Sequence, residues 1–153
     1  MILDRFRLDD RVAIVTGAGQ GIGRGIAVGL AEAGADVALA ARTESDLDEV
    51  AELVRAAGRR ALVVPTDVTD EAALEHLVDA TVSEFGRLDI AVNNAGGAMP
   101  RAALDTSEGF LERTFHFNVT APFTLTKLAA RQMVDTTGRG AVVNISSRSA
   151  SMT

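Results

Sequence analysis

"VAIVTGAGQGIGRGIA", residues Val12 to Ala27, decides how this chain folds. The apolar run Val12–Thr16 stops at a cluster with glycines at 17, 19, 21, 23 and 25, and a stretch of helical character follows. Glycine permits a tight turn and lets backbone N–H groups approach a ligand with no Cβ in the way. A helix opening there aims its positive end at an anion such as a pyrophosphate. A strict G-x-G-x-x-G spacing is absent; what is present is T-G-x-x-x-G-x-G, formed by Thr16, Gly17, Gly21 and Gly23. On these residues alone, the glycines serve either a phosphate or simply the strand-to-helix turn.

The same unit recurs downstream. Runs rich in Val, Ile, Leu and Ala at Val12–Thr16, Asp36–Ala41, Ala61–Pro65, Leu88–Val92 and Ala141–Ser146 read as strands. They are apolar on both faces, as strands are when helices cover both sides of a parallel sheet. Helical stretches begin near Gly21, Thr43, Thr69 and Asp105. In the third, Leu74, Leu77, Val78, Val82 and Phe85 fall on one helical face. Thr69 is expected to cap that helix, with Asp70 and Glu71 favouring its positive end. Residues 1–153 are therefore expected to form one α/β domain, a doubly wound Rossmann-type parallel sheet of strand order 3-2-1-4-5.

Composition narrows the function classes. The 153 residues are 47% hydrophobic, enough for a core, and carry a net charge of −6 with fifteen scattered basic residues. No basic stripe is available to neutralise a nucleic-acid backbone, so no nucleic-acid partner is expected. No segment reaches the roughly 18 uncharged apolar residues of a membrane helix, and "MILDRFRLDD" lacks an apolar run of signal-peptide length. No membrane partner and a cytoplasmic location are the expectation. There is no cysteine, and the two histidines lie 40 residues apart in sequence, at His76 and His116, so no metal site is expected.

Five motifs occur in order, each at the end of the element that should carry it: T-G-x-x-x-G-x-G after the first strand, "DVTD" at Asp67 to Asp70, "NNAG" at Asn93 to Gly96, "FNV" at Phe117 to Val119, and "NISS" at Asn144 to Ser147. Together they resemble the N-terminal part of the short-chain dehydrogenase/reductase family, over nearly the whole chain. The resemblance implies an NAD(P)-dependent oxidoreductase interconverting a small-molecule carbonyl and a secondary alcohol. It implies Gly17, Gly21, Ile22 and Gly23 along the pyrophosphate, Asp67 and Val68 at the adenine edge, and Asn94, Ala95 and Gly96 beside the adenosine ribose. It makes Ser147 the residue that orients substrate and Asn118 a member of a proton relay, whereas Ser146 is expected to point into packing. The bland alternatives are a helix-cap neighbour for Asp67, a turn for "NNAG" and a locally bonded mid-helix amide for Asn118.

An acid at the end of the second strand would grip a ribose 2′-hydroxyl, and an arginine suits a 2′-phosphate. "VALAARTES" has Ala41 at the acid's place and Arg42 next, while Asp36 sits at the strand's opposite end. NADP(H) is therefore favoured over NAD(H). The family's general acid/base is a tyrosine whose pKa is lowered by a lysine one helical turn later. The chain has no tyrosine, and Lys127, its one lysine, precedes the serine strand. The expectation is thus the family's cofactor-binding portion, truncated before the Tyr-x-x-x-Lys motif, with Ala141–Ser146 as an uncovered sheet edge. The alternative is a non-catalytic dinucleotide-binding module or inactive remnant. A homo-oligomer through one long helix spanning 105–135 is also expected from the resemblance.

Overall fold

In the computed structural model, residues 1–147 are described; the first four apolar runs each become a strand with a helix after it, and the fifth becomes a strand. After a 3-10 turn at Ile2–Phe6 come β1 (Val12–Thr16), α1 (Gly21–Glu32), β2 (Asp36–Ala41), α2 (Glu44–Ala56), β3 (Ala61–Pro65), α3 (Glu71–Phe85) and β4 (Ile90–Asn93). A short 3-10 turn at Ala103–Asp105 then leads into α4 (Glu108–Phe115), a π-turn (His116–Thr120), α5 (Ala121–Thr137) and β5 (Ala141–Asn144). The strands form one five-stranded sheet in the order β3-β2-β1-β4-β5, and every pair is parallel. This is the doubly wound order expected from right-handed crossovers.

Side-chain alternation along the central strands sorts the core into two layers. Val12 and Ile14 of β1 and Ala38 and Ala40 of β2 join Leu74, Leu77 and Val78 of α3 and Leu125 and Ala129 of α5 on one face. Val15, Val37 and Leu39 join Ala27 and Ala31 of α1 and Leu47, Val50 and Val54 of α2 on the other. Burial on both faces explains why these strands are apolar throughout.

The structure moves several expected boundaries. β4 starts at Ile90, not Leu88, because the Leu88 N–H is taken by the Thr136 hydroxyl. The N-cap of α3 is Asp70, which accepts from the Ala72 N–H. Thr69 is instead turned back, its N–H and hydroxyl both donating to Asp67. The helix expected over 105–135 is α4 and α5 joined through the π-turn, and it starts at Glu108. β5 is an edge strand ending at Asn144, and Ser146 is exposed rather than packed. Among the described residues no helix is long and apolar enough to cross a membrane.

Two buried acids brace the amino ends of the strands. Asp36 opens β2 and accepts from the Arg60 N–H and guanidinium at 3.0 and 2.9 Å, with Arg59 at 2.8 Å. It thus lies at the end of the sheet away from the glycine-rich turn. Asp89, just before β4, accepts from the Val12 N–H and from Arg11 and Arg87. Burial alone would raise the Asp89 carboxyl's pKa, but hydrogen bonds from Arg87, Val12 and Arg11 outweigh it and hold the group below its usual value.

Candidate dinucleotide site

The carboxyl ends of β1 and β4 are joined by one side chain. Thr16 is 2% exposed. Its hydroxyl donates to the Val92 carbonyl at 3.2 Å and accepts from the Asn94 and Ala95 N–H groups at 3.0 and 3.1 Å. Asn94 answers by donating its side-chain amide to the carbonyls of Thr16 and Gly17 at 2.9 and 3.3 Å. The glycine-rich turn and "NNAG" are therefore one hydrogen-bonded unit. Gly17 has φ +64°, and a Cβ there would stand 2.8 Å from the Asn94 amide nitrogen.

α1 begins directly behind this unit. Its N-cap, Gln20, places no side-chain cap over the first turn, and the first backbone bond into the helix runs from the Arg24 N–H to the Gln20 carbonyl. The N–H groups of Gly21, Ile22 and Gly23 precede that bond, at the positive end of a 12-residue helix. Around Gly21, at φ +56°, the structure leaves open space. These residues fit a pyrophosphate, which needs donors and close backbone approach.

In front of the turn lies a cavity of about 440 Å³. Of the residues expected from sequence, Gly17, Arg42, Asp67, Val68, Asn94, Ala95 and Gly96 line it. Gly21, Ile22 and Gly23 do not; they form the start of α1, with Gly21 exposed, Ile22 68% exposed and Gly23 buried. Sequence reasoning did not place Thr43, Asp46, Thr66, Thr69 or Phe117 at this site; they line it together with Gly19, Gln20 and Ala41. The Asp67 carboxyl is held below its ordinary pKa chiefly by the Thr69 N–H, then by the Thr69 hydroxyl, with smaller help from Arg42 and His116. The His116 ring donates from Nε2 to the Thr69 carbonyl at 2.9 Å, tying the loop after β3 to the π-turn.

A second cavity of about 370 Å³ shares Ala95 and Gly96 with the first, so the two lie side by side with these residues between them. Asn118, Thr126, Phe123 and Asn144 line its far side. Asn118 stands in the π-turn, a feature that recurs at functional sites. Its amide donates to the Gly97 and Thr114 carbonyls at 2.9 and 2.8 Å, and its oxygen accepts from the Gly97 N–H at 2.8 Å. The expected mid-helix amide thus clamps the loop after β4. Asn93 bonds Asn144 at 2.8 Å and Thr126 at 3.0 Å, fixing β5 beside that cavity. Ser147 follows β5, exposed, on the same edge of the sheet.

Comparison with known proteins gives this geometry a lineage. The family model described as short chain dehydrogenase matches residues 11–153. An uncharacterized oxidoreductase of Mycobacterium tuberculosis (strain CDC 1551 / Oshkosh) is 51% identical over 147 residues, covering 96% of this chain and 56% of that protein. A solved 7α-hydroxysteroid dehydrogenase, complexed with NADH and 7-oxo glycochenodeoxycholic acid, superposes with a TM-score of 0.94 at 36% identity. That match covers 98% of this chain and 58% of the other. Carveol dehydrogenase from Mycobacterium avium, in complex with NAD, gives a TM-score of 0.90 at 31% identity over 96% of this chain and 58% of its own. The chain thus spans a little over half the length of the relatives it matches. With the family model spanning residues 11–153 and a relative 51% identical over 96% of this chain, the chain belongs to the short-chain dehydrogenase family.

Proposed function

We propose that the chain is the cofactor-binding part of an NADP(H)-dependent oxidoreductase that interconverts a carbonyl and a secondary alcohol. One observation carries this reading: the two cavities lie side by side and share Ala95 and Gly96. It leaves an elongated dinucleotide room to lie from Arg42 and Asp67, past the glycine turn, to Asn118. The cofactor, when bound, supplies hydride exchange with the substrate carbon. Gly21, Ile22 and Gly23 would receive the pyrophosphate on their N–H groups, with Gly17 shaping the turn. Asp67 and Val68 would hold the adenine edge, and Asn94, Ala95 and Gly96 would wall the ribose. Arg42, exposed at the end of β2, would meet a 2′-phosphate. Ser147 would hydrogen-bond the substrate oxygen, and Asn118, anchored on Gly97, would order the proton path beside it.

A second reading is a dinucleotide binder without turnover or an inactive remnant. The chain holds no tyrosine, and its one lysine, Lys127, faces Glu71 at 3.5 Å on the α3 side of α5. Fluorescence titration of the 153-residue chain with NADPH and NADH tests the first reading. Saturable binding in the micromolar range is expected; no binding of either nucleotide overturns it. Hydride transfer to a carbonyl panel by this chain would overturn the second.

We also propose a homo-oligomer through α4 and α5. Leu111, Phe115, Val119 and Phe123 recur every four residues and are 62%, 59%, 47% and 65% exposed. A step of four overshoots an α-helical turn of 3.6 residues, and the wider π-turn offsets that drift, so the stripe runs straight. A continuous apolar stripe of this kind suits a two-fold helix pair. Phe123→Glu is expected to halve the mass seen by light scattering; a monomeric wild-type chain rules the interface out.

A further inference from the structure

The end of β2 is where a dinucleotide site of this architecture reads the adenosine ribose, and Ala41 leaves that place without an acid. The structure supplies one from a different element. Asp46, in the first turn of α2, is half-buried and lines the cavity beside Gly19, Ala41, Arg42 and Thr43. A Cβ on Gly19 would stand 2.9 Å from the Asp46 Cβ and 3.7 Å from both Asp46 Oδ2 and the Ala41 Cβ. Glycine at position 19 is thus what lets the carboxylate reach the corner between the glycine turn and β2. Among the described residues neither Asp46 nor Arg42 enters an ion pair.

We propose that Asp46 is a specificity-determining residue that opposes Arg42, accepting a hydrogen bond from a free ribose 2′-hydroxyl and repelling a 2′-phosphate. The inference rests on the dinucleotide reading of this cavity. It makes the chain a two-handed reader: Arg42 attracts the phosphate of NADP(H), Asp46 favours NAD(H), and the discrimination between them is small. The bland role of Asp46 is to complement the positive end of α2. Glu44 shares that role in the same first turn, yet is exposed and lines no part of the cavity. Glu44 is therefore the internal control.

The test titrates the 153-residue chain with NADPH and NADH as wild type, Asp46→Asn, Asp46→Ser and Glu44→Gln, with a thermal melt of each. Removing one unit charge a few ångströms from a phosphate corresponds to roughly a ten-fold change in affinity. Asp46→Asn is expected to raise the NADPH-to-NADH affinity ratio about ten-fold, tightening one and loosening the other. Asp46→Ser, which keeps a first-turn oxygen acceptor, should do the same if the asparagine variant fails to fold. Glu44→Gln should leave the ratio within about two-fold while lowering the melting temperature as much as Asp46→Asn does. A ratio unchanged in both Asp46 variants, in a chain whose wild type binds, overturns the inference. A wild-type chain that binds neither nucleotide overturns the dinucleotide reading itself.

Discussion

Gly23→Ala is expected to destabilise the chain by about 3 kcal/mol, to lower its melting temperature by roughly 10 °C and to weaken dinucleotide binding more than ten-fold. Gly23 is buried in the first turn of α1. A Cβ there would stand 2.0 Å from the Gly17 carbonyl oxygen, 2.7 Å from the Gly17 carbonyl carbon and 2.5 Å from the Asn94 amide nitrogen. None of these atoms can swing aside, since two are backbone and the third is pinned by its bonds to Thr16 and Gly17. Relief requires moving α1 away from β4, which drags the N–H groups of the helix start out of place. At Gly25 and Gly29, on the same helix, an added methyl would meet nothing within 4 Å. Gly25→Ala should therefore stabilise the helix by about 0.5–1 kcal/mol. Thermal melts and NADPH titrations of the two variants check the pair. Equal effects at positions 23 and 25 would show that helix propensity, not close packing, governs this turn.

Thr16→Val should cost about 3 kcal/mol although the two side chains have nearly the same shape. Valine fills the volume but leaves the Asn94 and Ala95 N–H groups without their acceptor and frees the Val92 carbonyl. Each orphaned N–H at a site this closed costs about 1–3 kcal/mol, more than the hydrogen bond contributes when it is made. Thr16→Ser keeps the hydroxyl and loses one methyl, at a cost of about 1 kcal/mol. Urea unfolding of the three proteins gives the comparison directly. A valine variant as stable as the serine variant would mean that water reaches these groups and that Thr16 is not the joint between β1 and β4.

Much of the fold is legible in the sequence because its cause is local. β1 and β2 are buried on both faces, so residues 12–15 and 37–41 carry an unbroken apolar signal, and glycines mark where the first unit turns. The position of Asp36 is legible for the same reason, since strand direction alone puts it at the far end from the glycines. What escapes depends on groups distant in sequence. The cap of α3 is Asp70 because Asp67 captures Thr69, a competition between two side chains that spacing does not rank. The π-turn escapes because one extra residue barely disturbs an apolar period. Asp46 escapes because its place in the cavity depends on how α2 lies against Gly19, a contact between elements. Ser146, which the apolar run places inside, is exposed because β5, unlike β1, lies at the edge of the sheet.

The buried Asp89 beneath β4 and the Thr16–Asn94 joint at the carboxyl ends differ in how they answer acid. Asp89 holds its charge below the ordinary carboxylate pKa, so its contribution is present at neutral pH and drains away only as pH falls through that lowered value. The Thr16–Asn94 joint carries no ionisable group, so neither acid nor salt loosens it. Acid therefore slackens the brace beneath β1 and β4 while the uncharged bridge across their other ends stays made.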